Sequence, residues 1–240
     1  MTPKRILITR PKMVGDNATG HTFSWAVPVV KYAKDRGYEV LDYQRHFVTY
    51  NNISNILTSY NPDLYIHFGH GCPSNLIGQS ECIITNGHSN FNVESMYVDS
   101  YLSKYTYRMD DDIMCDKLCP RSSNVELLNG INTVAYSCHS AHRLGQCAIS
   151  KGAKSYAGFD DYLIFMTDSI ETENIFRDSM LQYTYSLLDG DTIKIATEKT
   201  LNAFDKNIKK YKNVDYLGKL LLWDRMYFKV YGSPNLTLFS

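Results

Sequence analysis

Two stretches carry the same pattern: Asp63-Leu-Tyr-Ile-His-Phe-Gly-His70-Gly71 and Thr133-Val-Ala-Tyr-Ser-Cys138-His139-Ser140-Ala141. Each is a short apolar run, the length of a buried strand. Each run stops at a reactive side chain set among small residues. A histidine at one strand end and a cysteine at another supply a general base and a nucleophile. The pair points to a cysteine hydrolase.

The flanking sequence reads as alternating elements. Arg5-Ile-Leu-Ile-Thr is a first strand closed by Pro11, and Glu39-Val-Leu-Asp-Tyr a second. Between them Phe23 to Arg36 has helical spacing, with Ser24 as cap and Gly37 as stop. Ile53 to Tyr60 reads as a helix ending before Pro62. After the two decisive strands come a short helix over 146–151 and a fifth strand, Lys154-Ser-Tyr-Ala-Gly-Phe. Long helices then fit Ile170 to Leu188 and Thr192 to Tyr211, and Met226-Tyr-Phe-Lys-Val-Tyr makes a sixth strand that can stand at a sheet edge. Strands alternating with helices imply an α/β fold: a mostly parallel six-stranded sheet with helices on both faces. Ligands of such sheets bind beyond the carboxyl ends of the strands. Both reactive motifs stand there.

Residues 72–132 break the rhythm and are too long for a plain loop. They read as an insertion between the third and fourth strands of one domain spanning 1–240. The insertion holds Cys72, Cys82, Cys115 and Cys119, with His88 among them. Cys115-x-x-x-Cys119 has a zinc-compatible spacing, but the other two cysteines form no close pair. Asp110-Asp-Asp lacks the ligand spacing of a calcium loop and reads as a solvated turn. No cofactor is expected, and no metal. Six cysteines in 240 residues are too sparse for a disulfide scaffold, so the thiols are expected to stay reduced.

Lys plus Arg and Asp plus Glu both number 25, so no basic face supports nucleic-acid binding. No glycine-rich phosphate loop follows any strand. No apolar run is long enough to span a bilayer, and the amino terminus lacks a signal-peptide pattern. A cytoplasmic protein without membrane contact is the expectation.

Gly69-His70-Gly71 after one strand and Ser137-Cys138-His139-Ser140 after another resemble the caspase-like cysteine peptidases, the group of caspases, metacaspases, gingipains, clostripain and CHAT domains. The continuation from Cys138-His-Ser-Ala to Gly152-Ala-Lys-Ser-Tyr-Ala-Gly158-Phe is similar to CHAT and gingipain-like domains. So is the terminal Tyr231-Gly-Ser-Pro-Asn-Leu-Thr-Leu. The resemblance implies a caspase-like three-layer sandwich. It implies an endopeptidase with His70 as base and Cys138 as nucleophile, working through a thioester acyl-enzyme. The amides of Gly71 and Cys138 would stabilise the oxyanion. Substrates would be peptides or proteins, and an activating protein partner fits a second reading as an inactive or partner-gated module of the same fold. A third reading is another thiol hydrolase, an amidase or thioesterase.

The resemblance departs in one place. Tyr136 stands where metacaspases carry a pocket aspartate, so a preference for basic residues is not carried over. Asp160 and Asp161, at the end of the fifth strand, could supply an acidic pocket floor, with Tyr136 and His139 beside them. His67 reads as a strand histidine with one hydrogen bond.

Overall fold

The computed structural model describes residues 4–13, 15–79, 81–86, 123–213, 216–238 and 240. Cys115, Cys119, His88 and Asp110 to Asp112 lie outside the described residues.

Among the described residues nine strands and six α-helices follow in chain order. They are β1 (Arg5–Arg10), α1 (Asn17–Asp35), β2 (Glu39–Gln44), α2 (Tyr50–Tyr60) and β3 (Leu64–Phe68). Next come β4 (His70–Cys72), β5 (Asn75–Ile77), β6 (Cys82–Thr85), β7 (Asn132–Tyr136) and α3 (Leu144–Ser150). The chain ends with β8 (Ser155–Phe159), α4 (Ile170–Leu188), α5 (Ile193–Tyr211), α6 (Leu217–Tyr227) and β9 (Phe228–Gly232).

The fold is α/β. Its main sheet has six strands in the order β2-β1-β3-β7-β8-β9. All neighbours pair in parallel except β8 and β9, which are antiparallel. The central strands β3, β7 and β8 are buried along their whole length, which is why they read as unbroken apolar runs. The edge strands β2 and β9 are mostly half-buried.

Strand alternation divides the core in two. Ile6, Ile8, Ile66, Phe68, Val134 and Tyr136 face one side, under α1, α4, α5 and α6. Leu7, Tyr65, Ala135 and Tyr156 face the other, under α2 and α3. Each fully buried large apolar side chain contributes roughly 1.5–3 kcal/mol, so both faces are held firmly.

Helix starts follow side-chain chemistry. Thr49, Ser169 and Thr192 cap α2, α4 and α5 by accepting from the amides of Asn52, Thr172 and Ile195. The first helix begins six residues earlier than the spacing suggests. Asp16, not Ser24, is its cap, accepting from the amides of Ala18 and Thr19. The sequence also gave no sign of α6 or of the small antiparallel sheet β4-β5-β6 that opens the insertion.

The cysteines correct one expectation. Cys72 and Cys82, both in the small sheet, are disulfide-bonded, whereas Cys138 and Cys147 are thiols outside any disulfide. The small sheet packs into the second core through Leu76, Ile83 and Ile84.

Candidate active site

Register brings the two motifs together. In the β3–β7 pair, Phe68 lies opposite Tyr136. Two residues further on, past the carboxyl ends of both strands, come His70 and Cys138. The last ladder bond, Gly69 N–H to the Tyr136 carbonyl at 3.4 Å, ties the strand ends together.

Gly71 then runs directly against the second motif. A Cβ at this position would fall 2.8 Å from the Cys138 carbonyl oxygen and 2.8 Å from Ser137 Oγ. Only glycine permits that approach. The backbones of the two residues expected to serve the oxyanion are therefore neighbours. Ser137 Oγ is buried there without a hydrogen-bond partner.

Cys138 opens a tight turn. His139 adopts a left-handed backbone, φ 53°, and its carbonyl accepts from the His142 amide at 3.0 Å. A non-glycine residue in this region is uncommon and marks stored strain, often at a functional site. The turn packs on β8: the Ala141 amide donates to the Phe159 carbonyl at 2.9 Å. Gly158 makes room, since a Cβ there would meet Ser140 Oγ at 2.7 Å. The Cys138 thiol is half-buried and lies 4.0 Å from the Leu163 carbonyl.

His70 is held at both ends. Its Nε2 lies 2.5 Å from Asp16 Oδ2, across 54 residues of sequence. Its carbonyl accepts from His67 Nε2 at 3.1 Å. Burial alone would raise the Asp16 carboxyl. The hydrogen bond and charge of His70, with two donors from Thr19, outweigh that and hold it below the usual carboxylate range. His67 is wholly buried, and burial pushes its imidazole down to about 4. It is therefore neutral. Its Nδ1 accepts from Thr9 Oγ1 at 2.9 Å, and Thr9 Oγ1 in turn lies 3.1 Å from the Tyr65 hydroxyl.

Asp160 and Asp161 do lie beside the Cys138 turn, but each faces a histidine of it. Asp160 Oδ1 is 2.9 Å from His142 Nδ1. Asp161 Oδ1 is 3.9 Å from His139 Nδ1, and its carbonyl accepts from the His139 amide at 2.9 Å. His139 also meets the Tyr162 ring edge-on at 4.4 Å.

Tyr136 does not belong to a pocket. It is 0% exposed, stacks on Phe68 at 4.8 Å and sets its hydroxyl 2.6 Å from Thr184 Oγ1 on α4. Strand alternation turns it into the core beneath the helices. His21 is likewise occupied, 3.0 Å from Glu173 Oε1.

Asp16 and the Leu163 carbonyl are the parts of the site that the sequence did not disclose. The signal for Asp16 was local and available: an aspartate one residue ahead of a helix is a standard cap. Its second partner, His70, leaves no local trace. Among the described residues no group of three or more His, Cys, Asp or Glu could hold a metal ion. No described helix is long and apolar enough to cross a membrane. The chain matches no protein-family model and no curated protein.

Proposed function

We propose that this chain is a cysteine peptidase of caspase-like fold, cleaving peptide bonds with His70 as base and Cys138 as nucleophile. The observation that carries the reading is the contact of Gly71 with Ser137 and Cys138, which joins the two strand-end motifs at the carboxyl edge of the sheet. The strained turn at His139 supports it. In the reaction the Cys138 thiol gives its proton to His70, and the thiolate attacks the scissile carbonyl. The Gly71 and Cys138 amides then serve the developing oxyanion. His70 returns the proton to the leaving amine, and water hydrolyses the thioester.

A second reading, a partner-gated module, draws on one contact. The thiol lies 4.0 Å from the Leu163 carbonyl, so the loop after β8 stands directly against it. A partner that displaced the loop after β8 would then switch the enzyme on.

A fluorogenic peptide library varied at the residue before the cut tests both readings, with wild type against Cys138→Ala. Cleavage by wild type and none by the variant is the expected outcome. A folded wild type that cuts nothing, yet is alkylated at Cys138, would move the reading to the gated module. Equal cleavage by both proteins would sink the nucleophile assignment.

A further inference from the structure

We propose that Asp16 is the positioning residue for His70, one carboxylate serving both as the cap of α1 and as the clamp on the imidazole. The inference rests on the peptidase reading for its meaning in catalysis, but the clamp itself is testable without it.

The two oxygens divide the work. Oδ1 accepts from the Ala18 amide at 2.9 Å and the Thr19 amide at 3.4 Å. Oδ2 accepts from Thr19 Oγ1 at 2.9 Å and faces His70 Nε2 at 2.5 Å. An ionised carboxylate only accepts, so Nε2 carries the proton of the neutral ring. Nδ1 is then the basic nitrogen, left to receive the Cys138 proton. Once Nδ1 takes that proton, the ring is a cation beside an anion. The anion is kept ionised by three donors of its own helix and by the positive end of the α1 dipole. Asp16 cannot turn away without uncapping α1, and His70 cannot shift its backbone without breaking the bond from His67 to its carbonyl. The ring is thereby fixed in position and in tautomer before any substrate arrives.

Capping and clamping can be separated. Asparagine and serine cap helices about as well as aspartate. Asparagine has no charge, and serine is too short to reach the ring. Asp16→Asn and Asp16→Ser should therefore lower Tm less than Asp16→Ala, which loses the cap as well. Three readouts follow the clamp. Nitrogen NMR of His70 should show the Nε2-protonated ring in wild type and a mixture of tautomers in both capped variants. The pH profile of Cys138 alkylation by iodoacetamide should change in both. On the best library peptide, kcat should fall by roughly 100-fold or more with KM little altered.

Unchanged tautomer and alkylation profiles in Asp16→Asn and Asp16→Ser would overturn the proposal, whatever the peptidase assay gives. Changed profiles with no peptide cut by wild type would uphold the clamp and count against the peptidase reading instead.

Discussion

His67 is the buried imidazole behind the candidate base. Its sequence context, inside an apolar run, marked it as a core histidine, and it is 0% exposed. The sequence suggested one hydrogen bond, but the ring makes two, linking Thr9 on β1 to the His70 carbonyl. Being neutral, it makes stability depend on pH. The unfolded chain takes up a proton near the ordinary value of 6.5, and the folded chain only near 4. Between those values the unfolded state binds more protons, so stability is full above about pH 6.5 and falls as pH drops. The loss by pH 4 comes to about 3 kcal/mol. Urea unfolding of wild type and His67→Gln at pH 7, 5.5 and 4.5 checks this. The variant should be less stable at pH 7, because Thr9 or the His70 carbonyl loses a partner. It should then lose less than wild type on acidification. Parallel losses in the two proteins would assign the acid sensitivity elsewhere.

At the scale of elements, α6 governs the loop after β8. Trp223 Nε1 donates to the Tyr162 carbonyl at 3.1 Å, and Asp224 Oδ1 accepts from the Ile164 amide at 2.9 Å. The Tyr227 carbonyl accepts from the Asp160 amide at 2.8 Å. Three residues on the last turns of one helix thus hold the segment whose Leu163 carbonyl meets the thiol. Asp224 is 0% exposed and its Oδ2 is unpartnered, so burial raises its carboxyl well above the ordinary range. The sign is opposite to that of His67. Stability is full below about pH 4, where unfolded Asp224 is also protonated, and is lost as pH rises towards the folded value. Asp224→Asn keeps an acceptor for Ile164 and cannot ionise. Its Tm should exceed that of wild type at pH 8, by about 2–4 °C for each kcal/mol relieved, and the gap should close towards pH 4. A lower Tm than wild type at every pH would show that the carboxyl is better satisfied than its surroundings indicate.

The elements also show what a sequence discloses. β1, β3, β7 and β8 were legible because strands buried on both faces need consecutive apolar residues. The helix α4 was legible from its length and the Gly190 that stops it, and α5 from the face that carries Ile193, Ala196, Thr200 and Phe204. Other elements lacked such signals. α6 has no side-chain cap, and its stretch Leu217-Gly-Lys-Leu-Leu-Leu-Trp mixes faces instead of repeating one. Strands β4, β5 and β6 are too short to show a period of two. Within the site, His70 and Cys138 stood out because polar residues end apolar runs. Asp16 did not, because its meaning lies in a partner 54 residues away.

For the molecule as a whole, the described cysteines separate into two populations with different chemistry. Cys138 and Cys147 are thiols outside any disulfide and partly accessible, whereas Cys72 and Cys82 are disulfide-bonded. Disulfides persist in oxidising compartments and are rare where glutathione keeps thiols reduced. The main sheet rests on two apolar cores, and the small sheet shares the second of them through Leu76, Ile83 and Ile84. Iodoacetamide applied without reductant to protein made in an oxidising compartment should modify Cys138 and Cys147 and spare Cys72 and Cys82. After reduction Cys72 and Cys82 should react as well, and stability should drop by about 2–5 kcal/mol. Because the small sheet begins at His70, reduction should also slow the Cys138 alkylation that His70 promotes, even at temperatures where the main sheet stays folded. Modification of Cys72 and Cys82 before reduction would overturn their assignment as disulfide-bonded.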